Sequence, residues 1–233
     1  MAQDKTAQVF YHYSPAEKLR YIAQGGCYGG NAAEGAESGT GLLPLKRFVA
    51  LGVAGGSGLP EKAYEGAVFG LLDPLHKGWA THEWGESGQP VFETVLHDMH
   101  DAELALLEVR VDPAVDDLYV ADYGVHLDPS YKGSSFAKDA GTIKAKHAYF
   151  NSLVKWADYH AEGAADRLAY QLPEVICFSR IPKERLRLID KRPKADIIND
   201  FRIAGGYAPY PPKPERKIDP KAQERLLKAL FKL

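Results

Sequence analysis

The order of secondary-structure signals along the 233 residues constrains the fold of this chain more than any single motif does. One strand and one helix come first, then many short apolar or alternating runs, then a long helical pattern, and then further strands. Strict alternation of strand and helix builds parallel sheets, whereas runs of strands set apart from helices favour antiparallel sheets. The sequence therefore predicts an α+β fold.

The first strand and helix carry the clearest local signals. Residues 9–13 are β-branched or aromatic, which favours a strand. Ser14 and Pro15 then have the types preferred at an N-cap and at the first helical position, and Glu17 completes a capping box. Gly25-Gly26 is a typical helix stop. These signals predict a helix over residues 14–24.

The later segments predict mainly strands. Alternating or continuously apolar runs place strands within residues 63–72, 90–97, 105–111, 118–121 and 175–178. The run at 186–189 is expected to pair beside the strand at 175–178. Apolar residues recur at helical spacing from 142 to 162, which predicts one long helix there.

The composition changes after Gly205-Gly206. Residues 207–214 are rich in proline, which is typical of a linker, and Asp219-Pro220 then begins an apolar and basic helical pattern that ends at Leu233. We therefore expect one domain over residues 1–205, followed at 206–233 by a proline-rich linker and a C-terminal amphipathic helix. That helix either docks on the core or binds a partner or membrane surface.

Composition and charge exclude several classes of protein. Hydrophobic residues make up 45% of the chain, and the net charge of −2 gives no overall field that attracts nucleic acid or anionic lipid. No apolar stretch approaches the roughly 20 residues of a membrane helix, and the N-terminus lacks a signal-peptide pattern. The two cysteines make no disulfide framework. We expect a cytoplasmic protein, or an effector exported without a cleaved signal peptide.

Two polar residues within short apolar strands are the candidates for chemistry. His12 lies between Tyr11 and Tyr13, whose rings can stack on a planar group, and alternation puts His12 on the opposite face of its strand. Glu174 lies at the mouth of the late strand, where a carboxylate is costly to bury without a partner. Each residue also has a purely structural interpretation, as a satisfied core histidine and as a solvated strand end.

Other polar clusters are weaker. The spacing of His97, His100 and nearby aspartates is metal-like, but no cysteine pair or HExxH motif accompanies it, so no metal is expected. The glycines at 52–58 match neither a dinucleotide fingerprint nor a phosphate-binding loop. The glycine-rich segment 25–41 predicts a long loop that is either functional or a plain insertion.

The two ends of the domain each carry a short motif. Residues 11–14, Tyr-His-Tyr-Ser, are followed by a helix and a glycine stop, and residues 173–176, Pro-Glu-Val-Ile, are followed by Ile181-Pro182-Lys183-Glu184. These motifs resemble the opening and the closing strand of small bacterial ADP-ribosyltransferase-like proteins of the toxin and effector type, which carry H-Y-E-like motifs. The resemblance spans roughly residues 9–190 and implies a split β-sandwich with flanking helices.

The resemblance also implies roles for individual residues. His12 would hold NAD through its ribose, with Tyr13 beside it, and Glu174 would be the catalytic carboxylate. An aromatic residue on a middle strand would stack on nicotinamide, and Tyr64 or Phe69 fits that place best, ahead of Tyr119 and Tyr123. NAD would be consumed as a substrate.

The expected function is NAD-dependent mono-ADP-ribosylation of a macromolecule, with a protein as the expected target. One alternative keeps the fold and removes an RNA 2′-phosphate through NAD, although the balanced charge argues against a strongly basic RNA cleft. The other alternative is an interaction module of the same fold that has no catalytic activity.

Overall fold

A computed structural model describes residues 8–27, 67–75, 77–84, 89–97, 103–127 and 148–211. The strands in this part of the chain are β1 Gln8–Pro15, β2 Val68–Gly70, β3 Glu83–Trp84, β4 Gln89–Pro90, β5 Glu103–Val111, β6 Leu118–Asp122, β7 Val154–Lys155, β8 Pro173–Cys177 and β9 Leu186–Pro193. The α-helices are α1 Leu19–Gly25, α2 Lys77–Thr81, α3 Val91–His97, α4 Trp156–Tyr159, α5 Ala164–Leu168 and α6 Lys194–Ala204. Short 3₁₀ turns cover Ala16–Lys18, Tyr123–Leu127 and Lys183–Arg185.

The larger strands form two antiparallel sheets. One has the order β1-β5-β9 and the other the order β2-β8-β6-β7, while β3 and β4 form a separate ribbon. Strands that are distant in sequence pair within each sheet, and helices lie outside the ladders. The predicted α+β class is confirmed.

The two sheets are joined where β1 and β2 meet. Tyr11 and Leu71 exchange two backbone hydrogen bonds of 2.8 Å, which makes a single bridge between these strands. In an antiparallel pair, the next bridge would join Tyr13 to Phe69. That bridge is not formed. We call the place where β1 and β2 separate, next to Phe69, the fork.

Three clusters of buried side chains make up the core. The inter-sheet core lies between the sheets and includes Phe10, Val109, Val120 and Val175. The helix-side core packs β1 and β5 against α2, α3 and α6, with residues such as Leu104, Phe92 and Phe201. The outer core covers the far face of the four-stranded sheet and contains Ala121, Tyr149, Phe150, Ile176 and Phe178.

The first helix begins later than the sequence predicts. Strand β1 continues to Pro15, because Ser14 pairs with Ala105 of β5 and is buried with 3% of its surface exposed. No side chain caps the 3₁₀ turn that follows, so the capping-box prediction is wrong. The glycine stop is confirmed: Gly26 has φ +79°, and its amide donates to the carbonyl of Ile22 at 2.8 Å.

The predicted strand at 90–97 is also wrong, since residues 91–97 form helix α3. The buried residues Val91, Phe92 and Leu96 lie on one side of this helix and pack in the helix-side core. The ring of Phe92 stacks on Phe201 of α6, with 3.2 Å between centroids. Tertiary packing therefore overrides an alternation of polar and apolar residues that is too short to decide between strand and helix.

One predicted strand pairing and one predicted helix need correction. Strand β9 pairs with β5, not with the strand at 175–178, which instead lies between β2 and β6. The predicted helix over 142–162 is interrupted in its described part: residues 148–151 are helical, β7 pairs with β6, and α4 follows. Helix α6 at 194–204 was not predicted, although Ile197, Ile198 and Phe201 have the spacing of a buried helix face.

Residues 206–211, the described part of the predicted linker, pack against the domain. The Arg202 Nε donates to the carbonyl of Ala208 at 2.7 Å, and the amide of Tyr210 donates to Asn199 at 2.8 Å. The hydroxyl of Tyr207 donates to Glu83 at 2.7 Å. The predicted C-terminal helix lies outside the described residues.

Candidate functional site

Glu174 lies on β8 with its side chain toward the outer core. Val175 and Cys177 of the same strand belong to the inter-sheet core, whereas Ile176 belongs to the outer core. Because side chains alternate along a strand, Glu174 shares the face of Ile176. Its partner across the ladder on β6 is Ala121, which leaves room beside the carboxyl group. Glu174 is half-buried.

The Glu174 carboxyl group has a buried hydrogen-bond donor. The hydroxyl of Tyr149 donates to Glu174 Oε2 at 2.5 Å, and only 1% of Tyr149 is exposed. The length of this bond is typical of a hydroxyl donating to a carboxylate. Burial and the neighbouring carboxylate raise the pKa of Tyr149 well above its usual value, so its hydroxyl keeps its proton.

Burial shifts the protonation of Glu174 into the neutral range. It raises the pKa of the Glu174 carboxyl to about 7, and the bond from Tyr149 acts in the opposite direction. A carboxyl group with this pKa is ionised in a large fraction of molecules at neutral pH and can also hold a proton. Strongly shifted carboxyl groups are enriched at catalytic sites.

Aromatic rings surround the Glu174–Tyr149 pair. Tyr123 meets Tyr149 edge to face with 6.4 Å between centroids, and Trp79 lies 5.0 Å from Tyr123. The indole nitrogen of Trp79 donates to the carbonyl of Pro173 at 3.2 Å, next to Glu174. Further rings on this side of the sheet come from Phe69, Tyr119, Phe150 and Phe178. The carboxyl group is therefore set among flat apolar surfaces, which can hold a planar ring.

His12 occupies the fork. Its Nδ1 lies 2.7 Å from the carbonyl oxygen of Phe69, the residue whose bridge to β1 is missing. A carbonyl oxygen only accepts, so Nδ1 carries the hydrogen. Burial lowers the pKa of His12, which keeps the ring neutral. Its Nε2 is then an acceptor, the type of group that binds a hydroxyl.

The structure brings the strands of His12 and Glu174 together but not their side chains. β1 and β8 both neighbour β2, which puts them about 10 Å apart, two inter-strand spacings. Alternation places His12 on the side of Phe10 in the inter-sheet core, while Glu174 faces Tyr149 on the other side. The two residues therefore approach the fork from opposite faces instead of forming two facing walls.

The other predicted site residues have different environments. Tyr13 is a core residue with 9% exposure; its ring lies edge-on to Phe92 and its hydroxyl donates to the carbonyl of Pro74 at 3.1 Å. Phe69 packs on the outer core, on the face of Glu174. Tyr64 lies outside the described residues. Tyr13 therefore packs in the helix-side core, and its role beside NAD stays a prediction.

Tyr149 is the residue of this site that sequence reasoning missed. The helical pattern over 142–162 assigns Phe150 to the core but gives no role to the residue before it. A tyrosine in an apolar stretch carries no signal for a carboxylate partner 25 positions later. Only the packing of residues 148–151 against β8 reveals the pair.

The described residues give no sign of a metal centre or a membrane span. Within them, no three His, Cys, Asp or Glu side chains cluster as metal ligands, while His76 and residues 98–101 lie outside this part. None of the helices described is both long and apolar enough to cross a membrane.

Comparisons of the chain with protein-family models, with curated proteins and with solved structures gave no match.

The shifted pKa of Glu174 predicts how stability depends on pH. The pKa of the Glu174 carboxyl is about 7 in the native state and 4.5 in the unfolded state. Between these pH values the native state binds more protons than the unfolded state. The stability that this group contributes is therefore lost as the pH rises through 7. Glu174→Gln keeps the shape and does not titrate. The free energy of unfolding of Glu174→Gln, relative to that of the wild type, should increase by about 3 kcal/mol from pH 4.5 to pH 8.

Urea denaturation of the two proteins across this pH range measures the difference. Glu184→Gln, at an exposed position, is the matched control and should run parallel to the wild type. A constant difference between Glu174→Gln and the wild type from pH 4.5 to 8 contradicts the assigned environment of Glu174.

Proposed function

We propose that this protein is an NAD-dependent mono-ADP-ribosyltransferase that modifies a macromolecular target, with a protein as the favoured acceptor. The observation that carries the proposal is the half-buried carboxyl group of Glu174, bonded to Tyr149 among aromatic rings on the late strand. The proposal also assigns the two joined antiparallel sheets to an ADP-ribosyltransferase-like split β-sandwich.

The proposed reaction breaks the glycosidic C–N bond between nicotinamide and ribose. The bonding electrons leave with neutral nicotinamide, and positive charge develops on the ribose as an oxocarbenium-like centre. The carboxylate of Glu174 stabilises this charge, as carboxylates do in glycoside chemistry. A nucleophilic group of the acceptor then bonds to the ribose carbon and releases its proton, for which the carboxylate is a suitable base near neutral pH.

The remaining roles follow from the positions of His12 and Phe69. The Nε2 of His12 is proposed to accept a hydrogen bond from a ribose hydroxyl of NAD at the fork. Phe69, on the face of Glu174, is proposed to contact the nicotinamide ring, with Tyr64 as the alternative. NAD would then extend across the edge of the fork, from His12 on one face toward Glu174 on the other.

Binding of NAD, measured by calorimetry, tests the first requirement of this function. The wild type and Glu174→Gln should bind NAD alike, because the carboxylate acts mainly on the transition state. His12→Gln should weaken binding about tenfold, the effect of losing one good hydrogen bond. Absence of NAD binding to the folded wild type contradicts the proposal. Binding without transfer instead supports an inactive interaction module.

A further inference from the structure

We propose that Tyr149 is the positioning residue of the site: its hydroxyl fixes the Glu174 carboxyl group in one orientation and favours the ionised form. This inference rests on the proposed function for its catalytic meaning, but the pairing itself is tested without any activity. The geometry that carries it is the 2.5 Å contact between the Tyr149 hydroxyl and Glu174 Oε2, which lies inside the outer core.

The backbone around Tyr149 is anchored to the strand beside Glu174. The amide of Asp122, at the end of β6, donates to the hydroxyl oxygen of Ser152 at 2.9 Å. The same hydroxyl donates to the carbonyl of Tyr149 at 2.6 Å. Asp122 also accepts from the amide of Leu172, two residues before Glu174, at 2.9 Å. Tyr149 and Glu174 are thus both tied to the end of β6.

The ring of Tyr149 has little freedom to move away. It meets Tyr123 at 6.4 Å and Phe150 at 5.7 Å, both edge to face, and 1% of the residue is exposed. A phenol held in this way presents its hydroxyl along one direction. Because the donor is fixed before any ligand arrives, orienting the carboxyl group costs no rearrangement during the reaction.

The charge surroundings make this hydroxyl decisive for Glu174. The facing residue on β6 is Ala121, and Phe69 and Leu71 of the β2 segment bring apolar side chains. Within the part of the chain that the structure describes, Tyr123 is a further titratable group that acts on Tyr149. Asp122 is turned to the backbone amides of Gly124 and Leu172. Among the described residues, the donor bonded to the Glu174 carboxyl is therefore Tyr149.

The test compares Tyr149→Phe with the wild type by NMR titration of the Glu174 carboxyl carbon. Removing a donor to the charged form should raise the titration midpoint of Glu174 by about one pH unit or more. The pH midpoint at which the transfer rate rises should increase by the same amount. Tyr207→Phe, which loses a hydroxyl bonded to the carboxylate of Glu83, is the matched control and should leave both midpoints unchanged.

A second measurement needs no variant. In the wild type, the ring carbon that bears the Tyr149 hydroxyl should shift with the same midpoint as the Glu174 carboxyl. Independent midpoints, or a Glu174 midpoint that is unchanged in Tyr149→Phe, overturn the inference and leave the proposed function standing. Normal transfer by Glu174→Gln overturns the proposed function, while a coupled titration would still support the pair.

Discussion

Glu174→Gln should lower ADP-ribosyl transfer by about 100-fold or more while the protein stays folded. The substitution keeps the size of the side chain and an oxygen that accepts from Tyr149, but it removes the negative charge that would stabilise the ribosyl cation. Loss of one well-placed electrostatic group costs a factor of about 10² to 10³ in enzymes. The measurement is the rate of transfer from labelled NAD, with circular dichroism as the check on folding.

The control for this variant is Glu184→Gln, which changes the same charge at an exposed position in a 3₁₀ turn. It should transfer at the wild-type rate. If Glu174→Gln and Glu184→Gln both keep normal activity, Glu174 is not the catalytic carboxylate.

Arg202→Met should lower the free energy of unfolding by about 3–5 kcal/mol, because it removes a guanidinium that pairs with a buried carboxylate. Glu93 on α3 is 2% exposed and accepts from Arg202 Nη1 at 3.1 Å. The same guanidinium covers the ring of Tyr210 at 4.1 Å and holds the carbonyl of Ala208, so the variant also releases residues 206–211. Urea denaturation measures the loss.

Lys191→Met is the matched control, since Lys191 pairs with Glu103 at 3.2 Å with both side chains about half exposed. An exposed pair contributes at most about 1 kcal/mol. Equal losses for Arg202→Met and Lys191→Met contradict the view that residues 206–211 belong to the domain through a buried ion pair.

The strands that sequence reasoning found are those whose signal is local. β5 and β6 are apolar or alternating over their whole length, and burial on both faces of β5 explains its continuous run from Leu104 to Leu107. Residues 90–97 predict a strand because they can be read as an alternating run, whereas in the structure Phe92 of α3 stacks on Phe201. The pairing of β9 with β5 depends on contacts about 80 residues apart, which no local pattern encodes.

The residues of the candidate site also differ in whether a local sequence signal reveals them. His12 and Glu174 could be picked out because a polar side chain in a short apolar strand needs an explanation. Their relation could not be predicted, because it depends on the single bridge between Tyr11 and Leu71 that sets the fork. The role of Tyr149 could not be predicted for the same reason, because its hydrogen bond to Glu174 depends on how a separate segment packs on β8.

The most direct test of the central claim is incubation of the purified protein with labelled NAD and a cell lysate, resolved on a gel. The wild type should transfer label to a discrete macromolecular band and release nicotinamide in equal amount, and Glu174→Gln should give neither. Treatment of the band with protease and with ribonuclease tells a protein acceptor from RNA. Absence of both label and nicotinamide release with the folded wild type, or equal labelling by Glu174→Gln, would contradict the account.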